Sequence, residues 1–172
     1  MIKRIAITGP ESTGKSWLAE QLSMHFHTTF ASEYARVFLA ELKRPYIYDD
    51  ILLIAQGQRL YEINASVKAE KFLFCDTEAV VTKIWSEHTF GRCDSWILNE
   101  IEHNPHDYYL LCNIDLPWEP DPLREHPNLR EYLFNLYVNE LTKRDLPYGI
   151  VSGQRQDRKN CAISLLSQSF KI

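Results

Sequence analysis

The sequence predicts an α/β fold, a parallel sheet with helices on both faces. Three observations carry that prediction. Short apolar runs alternate with longer amphipathic segments along the whole chain. The short runs lack polar alternation, as strands covered on both faces do. Between the first strand-like run and the first helical segment lies a glycine-bearing loop, a turn that lets one feed directly into the other.

Taken in order, residues 2–8 read as a strand, 15–26 as a helix and 28–32 as a short strand. Residues 33–42 are helical, closed by Arg44-Pro45. Residues 49–69 show helical spacing through Ile51, Ile54, Ala55, Gln58, Tyr61 and Ala65. A compact buried strand spans 71–76, followed by helices over 77–87 and 95–103 and a strand over 107–113. Pro117, Pro120, Pro122 and Pro127 make 116–127 an irregular loop, after which come a helix over 128–144, a strand over 148–152 and a last helix over 157–169. Ligands of such sheets bind at the carboxyl ends of the strands. Thr8, Glu33, Asp76, Asp115 and Ser152 fall near those ends.

A chain of 172 residues fits a single domain, and no repeat or linker divides it. The net charge of −4 argues against a nucleic-acid partner. No apolar run reaches the roughly 18 residues of a membrane span, and the first residues enter a strand rather than a secretion signal. The four cysteines lack the close spacing of a zinc or redox motif, so reduced thiols in a cytoplasmic protein are expected. His103 and His106 stand three apart, but Pro105 breaks the helical face that a metal pair would need.

The loop Gly9-Pro10-Glu11-Ser12-Thr13-Gly14-Lys15-Ser16 matches the Walker A pattern, after a strand and opening a helix. Its glycines permit a tight turn, and its N–H groups and the helix dipole favour an anion. Lys15 would reach the β- and γ-phosphates of ATP, and Ser16 would offer its hydroxyl to Mg²⁺. Gly9, Glu11, Ser12, Thr13, Gly14 and Trp17 complete the expected ATP site. This makes the expected fold that of the P-loop NTPases.

Asp76 ends a buried strand, where a carboxylate would hold Mg²⁺ directly or through water; Asp76 and Thr77 are equally suited to cap the following helix. Glu33 could orient or deprotonate an acceptor hydroxyl, and Arg36 could bind a phosphate. The proline-rich loop carries Trp118, Asp121 and Arg124, with Arg130 beyond it, as a lid over about 116–130 would. Gly153, Arg155 and Arg158 follow the last strand, where a turn with a stacked arginine could hold adenine.

Together these motifs resemble the ribosylnicotinamide kinase domain of the NadR family. The resemblance rests on GPESTGKS at 9–16, EYAR at 33–36, DTEAVVTKIWSEHTFG at 76–91, YLLCNIDLPWEPDPLR at 109–124 and SGQRQDR at 152–158. It implies a nucleoside-kinase-like fold with a five-stranded parallel sheet and a lid. It further implies Mg²⁺- and ATP-dependent phosphorylation of nicotinamide riboside, in a stand-alone form without the adenylyltransferase domain. The implied catalytic residues are Lys15, Glu33, Asp76 and Arg124. Glu33, Tyr34, Arg36, Asp76, Glu78, Phe90 and Trp118 form the expected substrate side. The chain departs from the family in Glu78, where Asp is common, and in Ser32, where the fused kinases can carry a stacking Trp that Phe90, Tyr34, Trp85 or Trp118 would replace. A kinase for another nucleoside or small alcohol, and a regulatory module that turns ATP over slowly, remain open at this point, as does a homo-oligomer.

Overall fold

The computed structural model describes residues 1–121 and 124–171. β1 (Lys3–Thr8) runs through the centre, with Ile5, Ala6 and Ile7 fully buried. Around it the sheet is parallel throughout, in the order β2-β3-β1-β4-β5, where β2 is Phe30–Ala31, β3 Phe72–Asp76, β4 Tyr108–Cys112 and β5 Tyr148–Val151. Ile5 lies opposite Phe74 on one side and Tyr108 on the other.

Strand periodicity of two divides the core into two layers. Ile5, Ile7, Phe72, Phe74, Leu110 and Cys112 face α1 (Lys15–His25) and α7 (Arg155–Phe170), whose Leu18, Leu22, Ala162 and Leu166 close that side. Ala6, Tyr109 and Leu111 face the opposite layer. That layer is built from α3 (Tyr48–Ser66), α4 (Ala79–Phe90), α5 (Ser95–His103) and α6 (Arg130–Lys143). The eight-residue α2 (Tyr34–Glu41) buries no residue completely and packs on α3, with the Tyr34 ring occupying the space a side chain at Gly57 would need.

The element boundaries differ from expectation for local reasons. β2 shrinks to two residues, because the Thr28 hydroxyl already donates to the carbonyl of Phe72 rather than extending the ladder. α4 starts at Ala79 because Thr77 adopts φ 70° and Glu78 caps the helix, its carboxylate accepting the Val80 N–H. α7 begins at Arg155 and α3 ends at Ser66. No helix of the described residues is long and apolar enough to cross a membrane. All four cysteines are free thiols, with Cys75 and Cys112 buried.

At the amino ends of β1 and β4, a polar cluster ties α3 to the sheet. Arg4 donates to Glu62 at 2.6 Å and lies 3.3 Å from His106 Nε2, and Arg59 adds a contact to Glu62 at 3.4 Å. Lys3 pairs with Asp107 at 2.7 Å beside it. Burial opposes the charge on Glu62, but His106 and Arg4 outweigh it and bring its carboxyl down to about 2.

Candidate functional site

At the other end of the sheet, the carboxyl ends of the strands open into a cleft of about 1340 Å³. Its floor is the loop from β1 to α1. Gly9, Ser12 and Gly14 have φ of 128°, 56° and 75° there. A side chain at Gly9 would come within 2.9 Å of the Cys112 carbonyl, so only glycine lets the loop leave β1 this close to β4. The Thr13 hydroxyl donates to the Pro10 carbonyl and pins the turn. Gly14 caps α1 without a side-chain hydrogen bond. The first N–H groups of that helix therefore have no side-chain partner, which is what an anion requires. Lys15 Nζ donates to the carbonyls of Gly9 and Pro10 at 2.9 and 2.7 Å, leaving its third proton for a ligand.

Asp76 enters the cleft from β3. It is buried, and its Oδ1 finds no partner among the described residues. Burial pushes its carboxyl up to about 6, and the charge of Glu33 adds to the rise; the Ser16 hydroxyl and Lys15 work against it. A buried carboxylate oxygen with nothing to bind it is costly. Ser16, Asp76 and the adjacent phosphate-binding loop thus supply the hard oxygen donors that Mg²⁺ takes, so these residues fit that ion.

The loop between β4 and α6 covers the cleft from above. Arg130 donates to the carbonyls of Ile114 and Leu116 at 2.8 and 2.7 Å and fixes its start. Further along, Ser12 Oγ accepts the Glu119 N–H at 2.9 Å and a proton of Arg124, which also donates to the Glu119 carbonyl. The Glu11 carboxylate accepts the N–H groups of Glu125 and His126 at about 3.1 Å. From the opposite wall, Arg36 bridges Glu33 at 2.9 Å and Asp121 at 3.1 Å. Tyr46 donates to Glu125 at 2.9 Å and accepts from Trp85 at 3.2 Å, and the His126 ring meets that of His88. Residues 122 and 123 of the expected lid lie outside the described residues.

The cleft therefore brings together the whole loop 9–17 with Glu33, Arg36, Asp76, Arg124 and Arg158. It leaves out several residues expected on the substrate and adenine sides. Glu78 is buried outside the cleft lining, accepting from Thr8 Oγ1 and Val80 N–H, after the turn at Thr77. Tyr34 packs on Tyr61 and Phe38, and Phe90 on Tyr46 and Tyr48, so both rings serve packing. Trp118 does not line the cleft. Gly153 also lies outside the lining, giving its N–H to Asp115 at 2.7 Å. Arg158 reaches the cleft, yet its guanidinium is committed to Asp115 and to the carbonyls of Gly153, Thr13 and Asn113. It braces the phosphate loop instead of stacking on a base; the exposed Arg155, also at the cleft, keeps that freedom. Arg44, Tyr46, His88, Glu125 and His126 line the cleft without having been singled out from the sequence. They converge from the segment before α3, from α4 and from the covering loop, and no sequence spacing links those three places.

The fold and the cleft define a P-loop nucleotide-binding protein built on the architecture of nucleoside and nucleotide kinases. A family model described as an AAA domain matches residues 4–158, and the chain belongs to that family. It is 32% identical over 165 residues to the trifunctional NAD biosynthesis/regulator protein NadR of Escherichia coli (strain K12), covering 92% of this chain and 40% of that one. The chain thus spans well under half of that relative. Two solved structures of NadR, one with NAD and AMP-PNP and one with NR, superpose with TM-scores of 0.83 at 20% and 19% identity. Each superposition covers 99% of this chain and about half of the other. Thymidylate kinase from Ehrlichia chaffeensis superposes at 0.66 with 13% identity, over 96% of this chain and 97% of that one.

Proposed function

We propose that the chain is a kinase that transfers the γ-phosphoryl group of ATP to the 5′-hydroxyl of nicotinamide riboside, forming the mononucleotide in NAD salvage. The observation that carries this reading is the pairing of Asp76, buried with an unpartnered oxygen, with Glu33 across the same cleft. A nucleotide switch needs the first of these carboxylates but has no use for an acceptor-side second one. The likeness to a protein named for NAD biosynthesis, and to a NadR structure with NR, supports the choice of acceptor. The likeness to a NadR structure with NAD and AMP-PNP supports ATP as the donor.

In this reading Lys15 and the uncapped start of α1 hold the β- and γ-phosphates. Glu33 orients the acceptor hydroxyl and takes its proton as the bond forms. Arg36 and Arg124 neutralise charge on the transferring group, and the covering loop over 116–130 keeps water from competing as acceptor. Ser16 and Asp76 would hold Mg²⁺, which when bound supplies charge neutralisation at the phosphates. The negative charge of Glu33 and the Tyr46–Trp85 pair, with ring centroids 5.1 Å apart, suit a flat cationic base. The chain works as one kinase domain on small molecules in the cytoplasm, without nucleic acid or membrane.

The test is phosphoryl transfer from ATP to nicotinamide riboside beside a panel of ordinary nucleosides and a control without acceptor. Mass detection of the mononucleotide supports the reading. Transfer to a different nucleoside keeps the chemistry and replaces the acceptor. ATP hydrolysis with no acceptor phosphorylated contradicts it and makes the chain a regulatory module.

A further inference from the structure

The longest helix of the described residues, α3, is apolar on two opposite sides. Its inner side packs Ile51, Ile54 and Ala55 into the core. Its outer side carries Leu53, Leu60 and Ile63, continued by Val67 at the helical C-cap, with exposures of 49, 59, 46 and 83%. Twelve large apolar residues are exposed among the described residues, and these four share one helix face. A surface helix ordinarily turns charged and polar residues to water. The positions 53, 60, 63 and 67, with Gln56 between them, repeat as the seam of a coiled coil does. At 1.5 Å per residue the stripe is about 21 Å long. None of the four lines the cleft.

We propose that this face pairs with the same face of a second copy, antiparallel, about a twofold axis through Leu60. Leu53 and Val67 stand seven residues to either side of that residue. In an antiparallel register centred there, Leu60 meets Leu60 of the second copy and Leu53 meets Val67. Ile63 comes beside the half-buried Gln56 of the second copy. Asp49, exposed in the first turn, comes to the end that carries the exposed Lys68, Glu70 and Lys71, which is positive on balance. A parallel pairing would set Asp49 against Asp49 and lysine against lysine. Charge and helix dipoles thus select the antiparallel arrangement, and a self-complementary patch is what a twofold dimer requires. The two clefts stay open, because the seam lies on the outer side of α3.

The chain is run in sedimentation velocity between about 1 and 100 μM, with Leu60→Glu beside it. Leu60 is largely exposed, so the variant is expected to keep its melting temperature and its turnover. The wild type is expected to sediment as a dimer, and Leu60→Glu to weaken association at least about 100-fold. A wild type that stays monomeric overturns the proposal, as does a dimer indifferent to Leu60→Glu. The axis is tested in a Cys93→Ser, Cys161→Ser background. Leu60→Cys should cross-link to itself under mild oxidation. Leu53→Cys should cross-link to a Val67→Cys copy more readily than to itself. A dimer that cross-links at neither pair excludes this register.

Discussion

Two buried carboxylates at opposite ends of this sheet, Glu62 and Asp76, have opposite surroundings. Glu62, at the amino ends of the strands, receives Arg4 and Arg59 and faces His106, and its carboxyl falls to about 2. Asp76, at the carboxyl ends, keeps one oxygen unpartnered, and its carboxyl rises to about 6. Burial alone would raise both. The difference lies in whether the fold supplies the counter-charge. Where it does, the carboxylate fastens α3 to the sheet. Where it does not, the fold carries a cost that a ligand can relieve, and that is the mark of a working site.

The largest expected effect is on turnover. Asp76→Asn and Lys15→Ala should each lower phosphoryl transfer by about 100-fold or more while the fold persists, because each removes charge stabilisation of the transferring group. Unchanged turnover in either would erase the contrast with Glu62. Next comes Glu62→Gln, which leaves Arg4 partly unpaired. It should cost roughly 3 kcal/mol of stability in denaturant unfolding and leave turnover intact below the melting transition. A variant as stable as wild type would make the Glu62 cluster incidental.

The same contrast fixes the pH dependence of stability. Asp76 binds its proton more readily folded than unfolded. The ligand-free protein should therefore gain stability as pH falls from above 6 toward the ordinary carboxylate range, and Asp76→Asn should abolish that gain. Replacing the charge should stabilise the protein at pH 8 by on the order of 1–3 kcal/mol. Glu62 acts in reverse, its contribution being lost as pH falls from about 4.5 toward 2. Thermal melts across this range, with both variants, separate the two. The smallest effect is expected at Glu11, whose carboxylate seats the covering loop through two N–H groups. Glu11→Ala should raise the KM for ATP several-fold and change kcat little. An equal fall in kcat would give Glu11 a part in the transfer step.

The layered fold was legible because its signals are local. Phe72-Leu73-Phe74-Cys75 reads as a strand buried on both faces, and 9–16 carries its own glycines, lysine and hydroxyl. The phosphate side of the cleft was legible for the same reason. The acceptor side was not, because single torsions and distant pairings decide it. The left-handed Thr77 turns Glu78 to the Thr8 hydroxyl and the start of α4 and gives it the capping role that sequence offered to Asp76. Arg158 reads like any arginine in a helical first turn until Asp115, Asn113 and Thr13 close around it. Tyr46, His88 and Glu125 meet only once the covering loop is laid across the cleft.

In the proposed function, the unpartnered carboxylate of Asp76 belongs to a phosphotransferase site. The most direct measurement is γ-phosphoryl transfer from ATP to nicotinamide riboside by wild type, Asp76→Asn and Glu62→Gln, followed by mass detection of the product. Mononucleotide is expected from wild type and from Glu62→Gln, with a loss of about 100-fold in Asp76→Asn. Equal product from Asp76→Asn and wild type, or phosphate release with no acceptor modified, would contradict it.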